Sequence, residues 1–172
     1  MTDRPIPPIT PPVMPGSTGS VERVRQKLAE LGLAAEIRQF DASTRTAADA
    51  AVAIGCTVAQ IAKSLVFRAS QSGQAVLVVA SGGNRVNTAK IAAALGEEIG
   101  KADADFVRNH TGFSIGGVAP IGHTNTCQIF IDRDLGNYAE IWAAAGSPSA
   151  VFRLTPAELQ HITGGRVLEI TD

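Results

Sequence analysis

Glycine ends one predicted helix after another in this chain. Gly32, Gly55, Gly96 and Gly112 each follow a short stretch of helical character. A residue without a Cβ takes the left-handed conformation that closes a helix. Between these stops lie short runs rich in Val, Ile and Phe, the composition of strands. A chain cut this way folds as short helices interleaved with hairpins. That predicts a mixed α/β domain, not a regular doubly wound sheet.

The elements follow from local signals. Ser20 is placed to N-cap a helix through Leu31, with Val21, Val24, Leu28 and Leu31 on one face. Ala35 to Phe40 reads as a strand. Thr46-Ala47-Ala48-Asp49 opens a small-residue helix to Ile54. Thr57-Val58-Ala59-Gln60 is a stronger capping box, opening a short helix that ends near Lys63. Leu65–Arg68 and Gln74–Ala80 form a hairpin about Ser70-Gln71-Ser72-Gly73. Asn87 caps a helix over Thr88–Leu95, and Asp103 to His110 is another. Ile115–Val118, Gln128–Ile131, Tyr138–Ala144, Val151–Leu154 and Val167–Ile170 read as strands. Thr155-Pro156-Ala157-Glu158 starts the last helix, with proline at its first position.

Most of the nine prolines fall in Met1 to Gly19. Such a segment buries too little apolar area to offset its ordering entropy, and reads as a disordered, polyproline-like tail. The folded domain is therefore expected over residues 20–172. A hydrophobic content of 45% allows it a substantial core. The net charge of −1 excludes a protein that coats long nucleic acids, while leaving room for a local basic cleft. Aromatics at 5% are too few for a base-stacking sheet. No apolar run is long enough to span a membrane, and no signal core precedes the domain, so a cytoplasmic location is expected. Cys56 and Cys127 make neither a disulfide framework nor a metal set, and the histidines show no ligand spacing. No metal and no cofactor are expected.

Two segments carry candidate chemistry. In Gln60-Ile61-Ala62-Lys63-Ser64-Leu65-Val66-Phe67 a lysine sits where a helix gives way to an apolar strand. Its stem is expected against apolar surface. Its ammonium either snorkels to solvent or aims into a cleft, where a compact charge suits a phosphate or a polarised carbonyl. Ser64 either ends the helix or donates to a ligand. The second segment, Gly116-Gly117-Val118-Ala119-Pro120-Ile121-Gly122-His123, is a glycine-rich loop stiffened by one proline. It is either a tight turn or a loop that presents backbone N–H and C=O groups to a small ligand. Cys56 near a helix start reads as a packed thiol in preference to a thiolate. Ser81-Gly82-Gly83-Asn84-Arg85 lacks the ending of a P-loop.

The order and spacing of these two segments resemble the YbaK / prolyl-tRNA synthetase-associated editing domain family, over roughly Ser20 to Asp172. The resemblance implies a mixed sheet curled into a partly open barrel with flanking helices. It implies a free-standing aminoacyl-tRNA deacylase, a hydrolase of the ester on mischarged tRNA, with proline tRNA carrying alanine, cysteine or another small residue as substrate. Prolyl-tRNA synthetase is an implied partner. Lys63 matches the family's critical site residue, with Ser64 beside it. The Gly-x-x-x-Pro loop is carried onto Gly116, Gly117, Val118, Ala119 and Pro120 as the holder of the aminoacyl group. His123 is expected near the pocket. Asp132 resembles a recurring acidic position that pairs with Lys63, holds the substrate amine, or caps a strand end. Thr46 matches a threonine on a pocket-side helix, where capping explains it equally. Water, a ribose hydroxyl or the substrate's own side chain can attack. A noncatalytic module binding the tRNA acceptor end, and an esterase for small free esters, are the competing readings.

Overall fold

The computed structural model describes residues 18–41 and 46–172. Five helices are present among them: α1 (Thr18–Glu30), α2 (Ala47–Ile54), α3 (Thr88–Leu95), α4 (Ala104–Thr111) and α5 (Pro156–Thr163). The strands are β1 (Ile37–Gln39), β2 (Ile61–Ala69), β3 (Ala75–Ser81), β4 (Ile99–Lys101), β5 (Gln128–Asp132), β6 (Ile141–Ala144), β7 (Ala150–Leu154) and β8 (Arg166–Leu168). Single 3-10 turns cover Val58–Gln60 and Arg133–Asn137.

Local chemistry sets the helix ends. The side chains of Thr46, Asn87, Asp103 and Thr155 each accept a first-turn N–H, and Thr155 completes a capping box with Glu158. Gly55, Gly96, Gly112 and Gly164 close their helices in the left-handed conformation.

Four expectations are corrected. Helix α1 begins at Thr18, so Ser20 lies inside it and is not its cap. The expected tail falls outside the described residues, except Thr18 and Gly19, which are helical. The helix opened by Thr57 stops at Gln60, because β2 begins at Ile61 and pairs with β3 from Ala62 onward. Lys63 therefore stands within a strand. Ile115–Val118 is not a strand: Gly116 turns the chain at φ +89°, outside the strand region.

One mixed sheet runs in the order β1-β7-β6-β2-β3-β5-β8, with β4 also on β2, and it is not closed into a barrel. Strand β3 lies at its centre and is buried at every residue. That explains its unbroken Ala-Val-Leu-Val-Val-Ala run, since both faces are covered. Leu77 and Val79 face α1 residues Val24 and Leu28 and α5 residue Leu159. Val76, Val78 and Ala80 face Ile91 of α3. Helix α2 lays Ala50 and Ala51 over Ile61, Trp142 and Val151.

Strand β2 has one continuous edge and one divided edge. Residues Ala62–Arg68 pair without interruption to β3. On the opposite edge β6 pairs in parallel with Ile61 and Ala62 alone, and β4 pairs antiparallel with Phe67–Ala69. Between them, among the described residues, no strand lies against β2. This break positions the site.

Candidate functional site

A cavity of about 280 Å³ opens at the break. Its walls are Thr46, Ala47 and Ala50 of α2 and its cap, Ile61–Leu65 of β2, Ile115, Gly116 and Val118 of the glycine loop, and Trp142, Ser147 and Pro148 around β6. A second cavity of about 230 Å³ continues along β2, between Ser64–Phe67, Lys101, Ala102 and the same loop. Ser64, Leu65, Ile115, Gly116 and Val118 line both.

Among the described residues, Lys63 is the only ionisable side chain in the wall of the first cavity. Alternation along β2 puts Lys63 on the face of Leu65 and Phe67, and Ser64 on the opposite face with Ala62 and Val66. Both reach the cavity because it opens at the edge of the strand and not over one face. The Lys63 Nζ donates to the carbonyl oxygens of Gly82 (3.2 Å) and Asn84 (2.7 Å). An ammonium has three donors, so one N–H is left for a ligand. Burial lowers the Lys63 pKa; the Asp132 carboxylate opposes that and the Arg85 cation adds to it.

The loop that receives Lys63 is held from below. Asp132 is buried and does not ion-pair with Lys63. Its Oδ2 accepts from the Ser81 N–H (2.9 Å) and the Asn84 Nδ2 (2.8 Å), and its Oδ1 accepts from the Asp134 N–H (2.9 Å). Ser81 Oγ donates to the Ala59 carbonyl at 2.6 Å. Gly82 passes so close to the 3-10 turn before β2 that an added Cβ would stand 2.3 Å from the Val58 oxygen. Asp132 thus acts on Lys63 through the loop Ser81–Asn84, and caps the turn Arg133–Asn137.

The glycine loop divides into wall and support. Gly116 and Val118 line the cavity. Gly117 packs on Ser147, whose Cα and carbonyl carbon would both lie 2.8 Å from an added Cβ. Ala119 and Pro120 are buried behind the wall. His123 is also behind it. Its Nε2 lies 2.8 Å from the Ala119 oxygen and must donate, because a carbonyl can only accept. Burial lowers the His123 pKa, which keeps the ring neutral. Its edge meets Phe113. Thr46 Oγ1 accepts from the Asp49 N–H, so it serves as a cap while also lining the cavity. The Ser64 hydroxyl is buried and has no hydrogen-bond partner among the described residues. Neither thiol is poised to react: burial raises the Cys56 pKa and pushes Cys127 up to about 11.

The profile of the aminoacyl-tRNA editing domain matches residues 41–162, which include every wall of this cavity. The chain belongs to that family. It is 30% identical, over 148 residues, to the uncharacterized protein YwhH of Bacillus subtilis (strain 168), covering 86% of this chain and 94% of YwhH. A crystal structure of a proposed trans-editing enzyme for prolyl-tRNA synthetase superposes with a TM-score of 0.84 at 41% identity, over 93% of this chain and 99% of that one. The crystal structure of hypothetical protein APE2540 superposes with a TM-score of 0.81 at 27% identity, over 87% and 99%.

Sequence reasoning missed several parts of this editing domain's site. Trp142 forms a wall, with the Arg38 guanidinium 4.8 Å above its ring. Ser147 and Pro148 carried no motif. The segment Ser81–Arg85 did carry a signal, its two adjacent glycines. It presents carbonyls to a lysine where a phosphate loop would present N–H groups. No group of three or more His, Cys, Asp or Glu side chains able to hold a metal occurs among the described residues, and no helix among them is long and apolar enough to cross a membrane.

Proposed function

We propose that this protein is a trans-acting aminoacyl-tRNA deacylase that hydrolyses mischarged proline tRNA carrying alanine, cysteine or another small amino acid. The observation that carries the reading is Lys63, a lone cation in an otherwise neutral cavity, steered by two carbonyls with one N–H unspent. The similar trans-editing structure supports prolyl-tRNA synthetase as the source of the substrate.

The cavity suits a small acyl group between Ala47, Ala50, Ile61 and Val118. One methyl or hydroxyl is worth only about 1–3 kcal/mol of discrimination in an apolar pocket, so a synthetase needs a second, hydrolytic site. The remaining Lys63 N–H binds the polar acceptor end beside the ester. Water adds to the ester carbonyl carbon, the bond to the ribose oxygen breaks, and the water's proton passes to that oxygen. The described walls offer no carboxylate or imidazole as base, so acceleration comes from positioning and fixed electrostatics.

The test is release of amino acid from proline tRNA charged separately with alanine, cysteine, serine and proline, by wild type and Lys63→Ala. Rapid hydrolysis of one mischarged species, reduced at least 100-fold in Lys63→Ala with Pro-tRNA spared, is expected. Binding of tRNA without hydrolysis of any species overturns the proposal in favour of a binding module. Tenfold or better activity on small free esters over charged tRNA overturns it in favour of an esterase.

A further inference from the structure

The divided edge of β2 leaves backbone groups pointing into the cavities. The Ala69 N–H bonds to Gln74 on the hairpin side, and the Ser70 N–H bonds to Glu98 on the other side. Backbone direction alternates along a strand. The register with β3 is continuous from Ala62 to Arg68, so this alternation holds throughout. Even-numbered residues therefore turn their N–H and C=O groups toward the divided edge. The bridge at Ala62 belongs to β6, and the bridge between Phe67 and Lys101 engages the Val66 carbonyl. Three groups remain: the Ser64 N–H, the Ser64 C=O and the Val66 N–H. No backbone or side-chain partner meets them among the described residues.

Buried backbone groups are almost always paired. An acceptor followed by a donor is also the pattern by which a parallel strand receives one residue of its neighbour. Strand β6 would supply that residue if it continued. It does not: β6 ends at Ala144, and Gly146 takes φ +99°. The place it vacates is cavity. A second observation marks the same place as polar, the unpartnered buried hydroxyl of Ser64.

We propose that the aminoacyl group binds as a one-residue extension of the sheet opposite Leu65, its α-ammonium donating to the Ser64 C=O and its ester carbonyl accepting from the Val66 N–H. The inference rests on the deacylase reading and assigns the contacts that orient the ester. The Val66 N–H then sits where charge develops on the carbonyl oxygen as water adds. A fixed donor at that point is worth roughly 10²–10³ in kcat. Any L-α-amino acid offers the same amine and carbonyl, so this contact holds the reacting atoms and leaves side-chain choice to the cavity walls.

The test replaces the Val66 amide by an ester, using α-hydroxyvaline, and in parallel introduces Val66→Pro. Both delete the Val66 N–H, which the β3 ladder does not use; the ester also makes the Leu65 carbonyl a weaker acceptor for β3, a small loss that Val66→Pro does not share. Steady-state deacylation is measured on the mischarged tRNA that wild type hydrolyses best, with thermal melting alongside. A fall in kcat of at least tenfold, with KM changed less than kcat and melting preserved in the ester variant, is expected. Wild-type kcat in the ester variant overturns the proposal and leaves the deacylase reading standing. A large drop in its melting temperature also overturns it, because the N–H would then belong to the fold. Wild-type protein inactive on every charged tRNA overturns the deacylase reading and this pairing together.

Discussion

Lys63 combines a strand position, burial and two carbonyl contacts, and each has a measurable effect. Burial holds its pKa below the ordinary lysine value of about 10.4. In the proposed mechanism Lys63 acts as the cation, so deacylation is expected to fall as pH rises through that lowered value. Its alkaline limb should lie below the usual lysine range, and Lys63→Arg should displace it upward; a pH–rate profile checks both. For stability the sign is opposite. The unfolded chain binds more protons between the two pKa values, so this lysine's contribution is present above the unfolded value and lost as pH falls through the folded one. Asp132 works on the same lysine at one remove. Asp132→Ala strands the Ser81 N–H and the Asn84 amide, and is expected to destabilise the fold by about 3 kcal/mol in denaturant titrations. The caps at Thr46, Asn87 and Thr155 were legible because their partners lie within three residues. The role of Asp132 was not, because Ser81 and Asn84 are 51 and 48 residues away.

At the scale of elements, the loop Ser81–Asn84 joins β3 to α3 and sets the direction of a side chain on β2. Gly82→Ala places a methyl against the Val58 backbone. A cost of about 1–3 kcal/mol in stability is expected, as for other overpacked sites. Because the displaced carbonyl is a Lys63 partner, deacylation should fall further than the stability loss explains. Assays well below the melting temperature separate the two. The hairpin of β2 and β3 was readable from its own sequence, down to Gly73 at φ +72°. Strand β4 was not, because its three residues become a strand only by docking on Phe67–Ala69. Ile115–Val118 has strand composition, but its conformation is set by Gly116 and by contact with Ser147, thirty residues on from Gly117. Local propensity yields to tertiary contact in both places.

Across the whole molecule, part of the core can be altered without touching the cavity walls, although Lys63 and Ala80 of that core share a face of the sheet. Ile91 is fully buried with Val76, Val78 and Phe130, away from the cavity walls. Ile91→Ala is expected to lose about 2–5 kcal/mol of stability with kcat unchanged at temperatures where the protein is folded; calorimetry and single-turnover deacylation measure the two independently. The mixed α/β class was legible from periodicity and glycine stops. The strand order was not, since β2 takes β6 and β4 on one edge from opposite ends of the intervening chain.

That arrangement has a consequence for solution behaviour. Unpaired strand edges invite other chains to add to them, and proteins commonly guard them with charge, proline or covering loops. Here the bare stretch of β2 is recessed between two strands of the same sheet, β6 at one end and β4 at the other. A neighbouring protein would need several consecutive residues to dock there, and the flanking strands stop it after about one. The protein can keep a sticky edge open for a small ligand without becoming a template for its own aggregation.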